Sequence, residues 1–159
     1  MDEFKCHIAA LNGYLHSLRR FRGAGYFYAA SSYAVAEDID SFLIGTIKEW
    51  GGFEYRGKSL IEFNVLSERL ESIIFGGALS LSHMSDDSRK CIKQSVLEDI
   101  NEYYGLAATS LGTDEPFHPL ISGPVYELDV ESKSYSDLFM YVVQIGGNYV
   151  LTSFTRKFR

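Results

Sequence analysis

The chain is poor in cysteine, proline and tryptophan: its 159 residues include two cysteines, three prolines and one tryptophan. Cys6 and Cys91 stand far apart, so they predict no disulfide framework and are expected to be small buried apolar groups. Residues 23–36 form an uncharged stretch of 14 residues. A membrane span needs about 18 or more predominantly apolar residues. No basic, apolar leader follows Met1, so we expect a cytoplasmic protein in a reducing compartment.

Acidic residues outnumber basic ones, 21 against 15, which gives a formal net charge of −6. A negative chain repels phosphate backbones, so direct nucleic-acid binding is not expected unless a local basic patch overrides the total charge. The hydrophobic fraction of 46% and the charged fraction of 23% are ordinary for a folded protein. The length fits a single domain over residues 1–159.

Apolar residues recur at helical spacing in four segments of the first two-thirds of the chain. The first stripe runs from Phe4 to Leu18 and the second from Val35 to Trp50. A third begins at Ser59, whose S-x-x-E pattern with Glu62 predicts a capping box. The fourth stripe comprises Ile92, Val96, Ile100 and Tyr103, and it follows cap candidates at 85–88.

The pattern changes after Gly105. All three prolines lie between residues 106 and 124, which predicts a long irregular connection. Residues 125–131 alternate, 138–145 form a continuous apolar run suited to a central strand, and 149–158 follow a glycine-rich turn. The sequence therefore predicts an α+β domain in which four N-terminal helices pack on a C-terminal three-stranded antiparallel meander.

The usual catalytic and cofactor motifs are missing. No phosphate-binding loop occurs, and no histidine pair or cysteine pair has metal-ligand spacing. We therefore assign no catalytic residue, cofactor or metal. His118 lies in the long proline-containing connection, where functional groups often occur, but a lone loop histidine is usually solvated.

Basic residues form two small groups, one at 19–22 and one at 156–159. Together with nearby aromatic residues they would offer a platform for single-stranded nucleic acid if the two groups met in space. Charge complementation of a helix end and ordinary solubility are the stronger explanation of these groups.

The negative charge is concentrated in one window. Residues 98–137 contain nine acids and one base, whereas the rest of the chain contains 12 acids and 14 bases. Glu127, Asp129 and Glu131 share one face of a predicted strand, where like charges repel each other. A solvated acidic face or protection against edge pairing would explain them. A docking surface for a basic partner is the alternative, with tyrosine anchors beside it. Its predicted residues are Glu98, Glu102, Tyr103, Tyr126, Glu127, Asp129 and Glu131.

The overall profile resembles a bacterial immunity protein of the contact-dependent growth inhibition or polymorphic toxin type. The features that carry this resemblance are a single acidic domain, many Tyr and Phe residues, no catalytic motif and the hairpin sequence of residues 139–151. The resemblance implies cytoplasmic residence and tight binding to a cognate toxin domain, often a basic nuclease. A small enzyme with an apolar pocket between helices and sheet, using a histidine or carboxylate as acid or base, is the alternative.

Overall fold

The computed structural model describes residues 3–18, 26–34, 38–50, 52–75, 83–111, 124–145 and 147–157. These residues form four helices and five strands. In chain order the elements are α1 (Glu3–Ser17), β1 (Tyr26–Ala34), α2 (Ile39–Trp50), β2 (Phe53–Ile61), α3 (Phe63–Phe75), α4 (Asp86–Ser110), β3 (Val125–Ser132), β4 (Tyr135–Ile145) and β5 (Asn148–Lys157).

The five strands form one antiparallel sheet in the order β1-β5-β4-β3-β2. Strands β3, β4 and β5 are adjacent, and the apolar run of β4 lies in the central strand. The predicted three-stranded meander is wrong, because the sheet gains β1 beside β5 and β2 beside β3 from the first half of the chain. The helices therefore do not form a separate N-terminal block but alternate with these two outer strands.

The predicted capping box at Ser59 is also wrong. Ser59 lies in β2 and pairs with Glu127 of β3, and α3 begins only at Phe63. The carbonyl of Glu62 accepts the amide of Leu66 at 3.1 Å, which starts the helix three residues later than the sequence pattern predicts. Strand pairing with a segment 68 positions away overrides the local helical signal, because a long-range ladder is invisible in a short sequence window.

Both faces of the sheet are covered by helices. On the face that we call the α2 face, Ile39, Phe42, Leu43 and Ile47 of α2 pack with Leu128, Met140, Val142 and Leu151. On the opposite face, which we call the three-helix face, α1, α3 and α4 pack over Tyr141, Val143, Val150 and Phe154. α2 therefore covers one face of the sheet, and α1, α3 and α4 cover the other.

The ends of two helices follow the residue types in their sequence. Ser85 caps α4 by accepting the amide of Ser88 at 3.2 Å, as the cap candidates at 85–88 predicted. Gly52, with φ of 74°, lies between α2 and β2 in a backbone conformation that favours glycine.

Cys6 and Cys91 are both exposed, which corrects the expectation that they are buried apolar groups.

Candidate functional site

A groove of about 700 Å³ lies between α3 and the three-helix face of the sheet. We call it the α3–sheet groove. Four strands contribute to it, from Ser59 on β2 to Thr155 on β5, and α3 forms one wall. Its charged lining residues are Glu68, Arg69, Glu127, Asp129 and Asp137.

Aromatic side chains form much of the apolar surface of the groove. Tyr141 and Phe154 are 2% and 1% exposed, and their rings meet edge to face with centroids 6.4 Å apart. Phe139, the next residue on the same face of β4, is 42% exposed. The floor is therefore rigid and packed, while one aromatic ring remains accessible at its side.

One ion pair crosses the groove between its two walls. The Nε of Arg69 on α3 lies 3.0 Å from Oε2 of Glu127 on β3. Burial raises the pKa of the Tyr141 phenol, and the neighbouring carboxylate of Glu127 raises it further by charge and by hydrogen bonding. The Tyr141 phenol therefore stays protonated at neutral pH.

The charge of the groove lining is unbalanced. Glu68, Glu127, Asp129 and Asp137 bring four carboxylates, whereas Arg69 brings the single guanidinium among the described lining residues. Asp129 is exposed and forms no ion pair among the residues that the structure describes. A groove of this composition has a negative potential that attracts cationic groups.

The acidic face of β3 is partly neutralised beyond the groove. Arg56 of β2 forms a hydrogen-bonded ion pair with Glu131 and lies 3.6 Å from Glu54. Of the three predicted strand acids, Glu127 and Glu131 thus have arginine partners from different elements. Asp129, between them, has no ion-pair partner in the part of the chain that the structure describes.

Tyr126 does not lie with the strand acids. It packs on the α2 face with the cluster that includes Leu128 and Val142, whereas Glu127 faces the α3–sheet groove. Alternation along β3 separates the two side chains by the thickness of the sheet, so Tyr126 cannot anchor a partner seated at Glu127.

The predicted residues on α4 lie elsewhere again. Glu98 accepts a hydrogen bond from Gln94 at 3.0 Å and lines a second groove between α3 and α4 together with Glu71. Tyr103 packs on Tyr14 of α1, with ring centroids 5.4 Å apart. Glu102 is exposed on the same helix and does not line the α3–sheet groove. The seven predicted residues therefore do not form one surface.

The sequence analysis did not predict four residues of the groove as part of a site. They are Glu68, Arg69, Asp137 and Phe139. Asp137 belongs to the acidic window, and its position on β4 carries it to the groove. Glu68 and Arg69 have no such signal, because only the packing of α3 on the sheet brings them beside β3.

The lining of the α3–sheet groove, as far as the structure describes it, contains no histidine. His118 lies outside the described residues, and His7, His16 and His83 do not line the groove. Among the described residues, no three histidine, cysteine or carboxylate side chains converge to hold a metal ion. No helix within the described ranges combines the length and apolarity needed to cross a membrane.

Of the second basic group, Arg156 and Lys157 lie in β5, where Arg156 pairs with Tyr26, the first residue of β1. Residues 19–22, 158 and 159 lie outside the described residues.

Comparison with known proteins gives a likeness of fold alone. No protein-family model and no curated protein sequence matches the chain. Crystal structures of citrus MAF1 in two space groups resemble it with TM-scores of 0.50 and 0.47 at 11% identity, and each alignment covers 94% of this chain and 97% or 98% of that one. The middle domain of FliM from H. pylori gives a TM-score of 0.22 at 10% identity, with 96% and 86% of the two chains covered.

Proposed function

We propose that this protein is a binding protein that docks a basic protein partner in the α3–sheet groove. The observation that carries the proposal is the lining of that groove, in which four carboxylates outnumber one guanidinium around an apolar floor. Clustered carboxylates accelerate encounter with a cationic surface and disfavour acidic competitors.

The groove also offers an anchor that is not electrostatic. Phe139 is 42% exposed beside Asp137 and close to Asp129 in the same lining. An aromatic ring next to carboxylates suits a lysine or arginine side chain, whose charge pairs with the acids while its stem or guanidinium packs on the ring. The contact surface that we propose therefore consists of Glu68, Asp129, Asp137 and Phe139. Glu127 is left out because Arg69 forms an ion pair with it.

The partner that best fits this surface is a toxin domain with a basic, nucleic-acid-binding cleft. An acidic protein that occupies such a cleft blocks the toxin by competing with the phosphate backbone. The immunity-type profile of the sequence supports this role, and a cytoplasmic site of action belongs to the same proposal. The acids of α4 do not belong to the contact surface.

The experiment uses the protein encoded directly upstream of this chain as the probe, since immunity genes follow their toxin genes. Calorimetric titration of the two purified full-length proteins at increasing salt should give a tight complex whose affinity falls steadily as salt screens the groove. Co-expression should also suppress the toxicity of the probe. No binding at low salt, or an affinity that does not change with salt, would refute electrostatic docking.

A small enzyme is the second candidate, because Tyr141, Glu127 and Arg69 converge in the groove. In that case Tyr141 would donate a hydrogen bond to a bound substrate and Arg69 would hold an anionic group. Glu127→Gln separates the candidates when two quantities are measured for it. One is its affinity for the upstream-encoded protein, and the other is its own turnover of the compounds on which that protein acts. A binding protein changes affinity and shows no turnover, whereas an enzyme loses turnover.

A further inference from the structure

We propose, as an extension that rests on the proposed function, that the partner contributes an extended basic segment whose main chain binds between β3 and β4. The register of these strands joins residues 125–127 of β3 to residues 141–143 of β4. In the part of the chain that the structure describes, no ladder pair joins residues 128–130 to residues 138–140. We call the interval between these two stretches the β3–β4 opening.

The β3–β4 opening lies beside a short connection. β3 ends at Ser132 and β4 begins at Tyr135, so two residues join the strands. Strands joined by so short a turn normally pair directly beside it. Here the described pairs lie at the far end of the strands, and the register of β4 against β5 shifts between Tyr135 and Asp137. Such a bulge bends a strand, which gives a physical reason for the departure of β4 from β3.

The lining of the α3–sheet groove shows that the opening is accessible from the three-helix face. Side chains of a strand alternate between faces, so a groove on one face normally touches every second residue. This groove instead touches three successive residues of β3, 127–129, and five of β4, 137–141. Among them, Leu128 and Met140 belong to the core on the α2 face. The groove therefore reaches into the sheet between the two strands.

The strand edges beside the opening carry main-chain amide and carbonyl groups. β3 keeps its ladder with β2 along residues 128–130, and β4 keeps its ladder with β5 along residues 138–140. Main-chain groups along an antiparallel strand point alternately to its two neighbours, so each strand directs some of them into the opening. An extended segment can pair with these groups in the way that a peptide adds to an exposed sheet edge.

The side chains around the opening favour a basic segment. Glu68 and Asp129 are exposed carboxylates of the groove lining, and neither has an ion-pair partner within the described ranges. Asp129 and Phe139 each lie two residues beyond the Glu127–Tyr141 pair, on the face that bears the groove. An arginine that pairs with Asp129 can therefore stack its guanidinium on the exposed ring of Phe139. Alternating basic and apolar residues fit the opening, because every second side chain of an extended segment faces the acids.

The first test uses a synthetic hexapeptide of alternating arginine and valine, blocked at both ends and titrated by calorimetry against the full chain. This peptide should bind, and a glutamate–valine peptide of the same length should not. Two further peptides carry N-methyl groups on the main-chain nitrogens of either the arginines or the valines, which removes amide donors and keeps every charge. At least one of them should bind about tenfold more weakly. Unchanged affinity of both N-methylated peptides would overturn main-chain docking.

Titration of the upstream-encoded protein separates failure of this inference from failure of the proposed function. If that protein binds tightly and the arginine–valine peptide does not, groove docking stands and the extended segment is overturned. If the peptide binds and that protein does not, the opening stands as a peptide site and the toxin is overturned as the partner.

The second test locates the peptide on the protein. Amide hydrogen exchange should slow on peptide addition at those amides of residues 128–130 and 138–140 that exchange fast in the free protein. Asp129→Asn should weaken peptide binding by about two- to fivefold, since an exposed ion pair contributes little, and Glu102→Gln on α4 is the matched control. Unchanged exchange at both stretches, or equal affinities of the two variants, would overturn binding at the β3–β4 opening.

Discussion

The Nε of Arg69 lies 3.0 Å from Oε2 of Glu127, although the two residues are 58 positions apart in the chain. This contact joins α3 to β3 at the α3–sheet groove. It neutralises one carboxylate of a lining that also contains Glu68, Asp129 and Asp137. Arg69 is the one cationic residue among the described lining residues of the groove, and it opposes the proposed basic partner.

Replacing this arginine should strengthen partner binding. Arg69→Gln removes the guanidinium, so we expect tighter binding of the upstream-encoded protein and a steeper dependence of affinity on salt. Stability should change by less than about 1 kcal/mol, because the Arg69 and Glu127 side chains are 55% and 32% exposed and solvent screens the pair. Calorimetry and urea unfolding measure the two effects. Weaker binding in the variant would show that Arg69 itself contacts the partner.

The hydrogen bond between the hydroxyls of Tyr104 and Thr152 ties α4 to β5 inside the core, where both residues are 3% exposed. Tyr104→Phe leaves the Thr152 hydroxyl buried without this partner, and we expect a loss of about 1–3 kcal/mol in the free energy of unfolding. Adding Thr152→Val should recover part of that loss. Urea unfolding of both single variants and the double variant gives the coupling. Additive losses would contradict a direct bond.

Alkaline pH should destabilise the fold through buried tyrosines. Burial raises the pKa of Tyr104 to about 12, and burial together with the Glu127 carboxylate raises the pKa of Tyr141. The folded protein holds these protons more tightly than the unfolded chain, where tyrosine titrates near about 10. Their contribution to stability is complete below pH about 10 and is lost as pH rises towards 12.

Urea unfolding from neutral to alkaline pH, followed with the tyrosinate absorbance, tests this sign. Tyr104→Phe removes one of the two groups and should flatten the decline. A fold whose stability is unchanged between neutral pH and pH about 11 would contradict the burial of these phenols.

The N-terminus of α4 depends on one side chain. Ser85→Ala removes the acceptor of the Ser88 amide, and we expect a loss of about 0.5–2 kcal/mol. Ser95→Ala, at an exposed position inside the same helix, is the matched control and should be neutral or slightly stabilising, since alanine has the higher helix propensity. Thermal unfolding of both variants measures the difference. Equal effects would mean that the cap contributes nothing.

Local sequence patterns predicted helices well and the sheet poorly. The spacing of Phe4, Ile8, Leu11 and Leu15 on α1 reflects burial on a single helical face, which a short window captures. Ser59 shows the limit of local patterns. It forms a capping-box pattern with Glu62, and yet it pairs with Glu127 of β3. β1 lacks the alternation of a half-buried strand, and only its pairing with β5 defines it.

The site was predicted in part for the same reason. Charge counting identified Asp129 and Glu127, which lie in the α3–sheet groove, but it could not separate them from Glu102 on α4 or Tyr126 on the α2 face. Side-chain direction on a strand and the position of α3 decide which acids share a surface. Those are properties of the tertiary packing, and composition does not contain them.

The most direct measurement of the central claim compares two charge-reversal variants of equal chemistry. Asp129→Lys reverses one exposed groove carboxylate, whereas Glu102→Lys reverses one exposed acid of the same sequence window that lies outside the groove. Each is titrated by calorimetry against the upstream-encoded protein at one fixed salt concentration, after unfolding curves show that both fold. The groove variant should lose at least about tenfold in affinity, equal to about 1.4 kcal/mol, and Glu102→Lys should bind like the wild type. Wild-type affinity in the groove variant, or an equal loss in Glu102→Lys, would contradict docking in the α3–sheet groove.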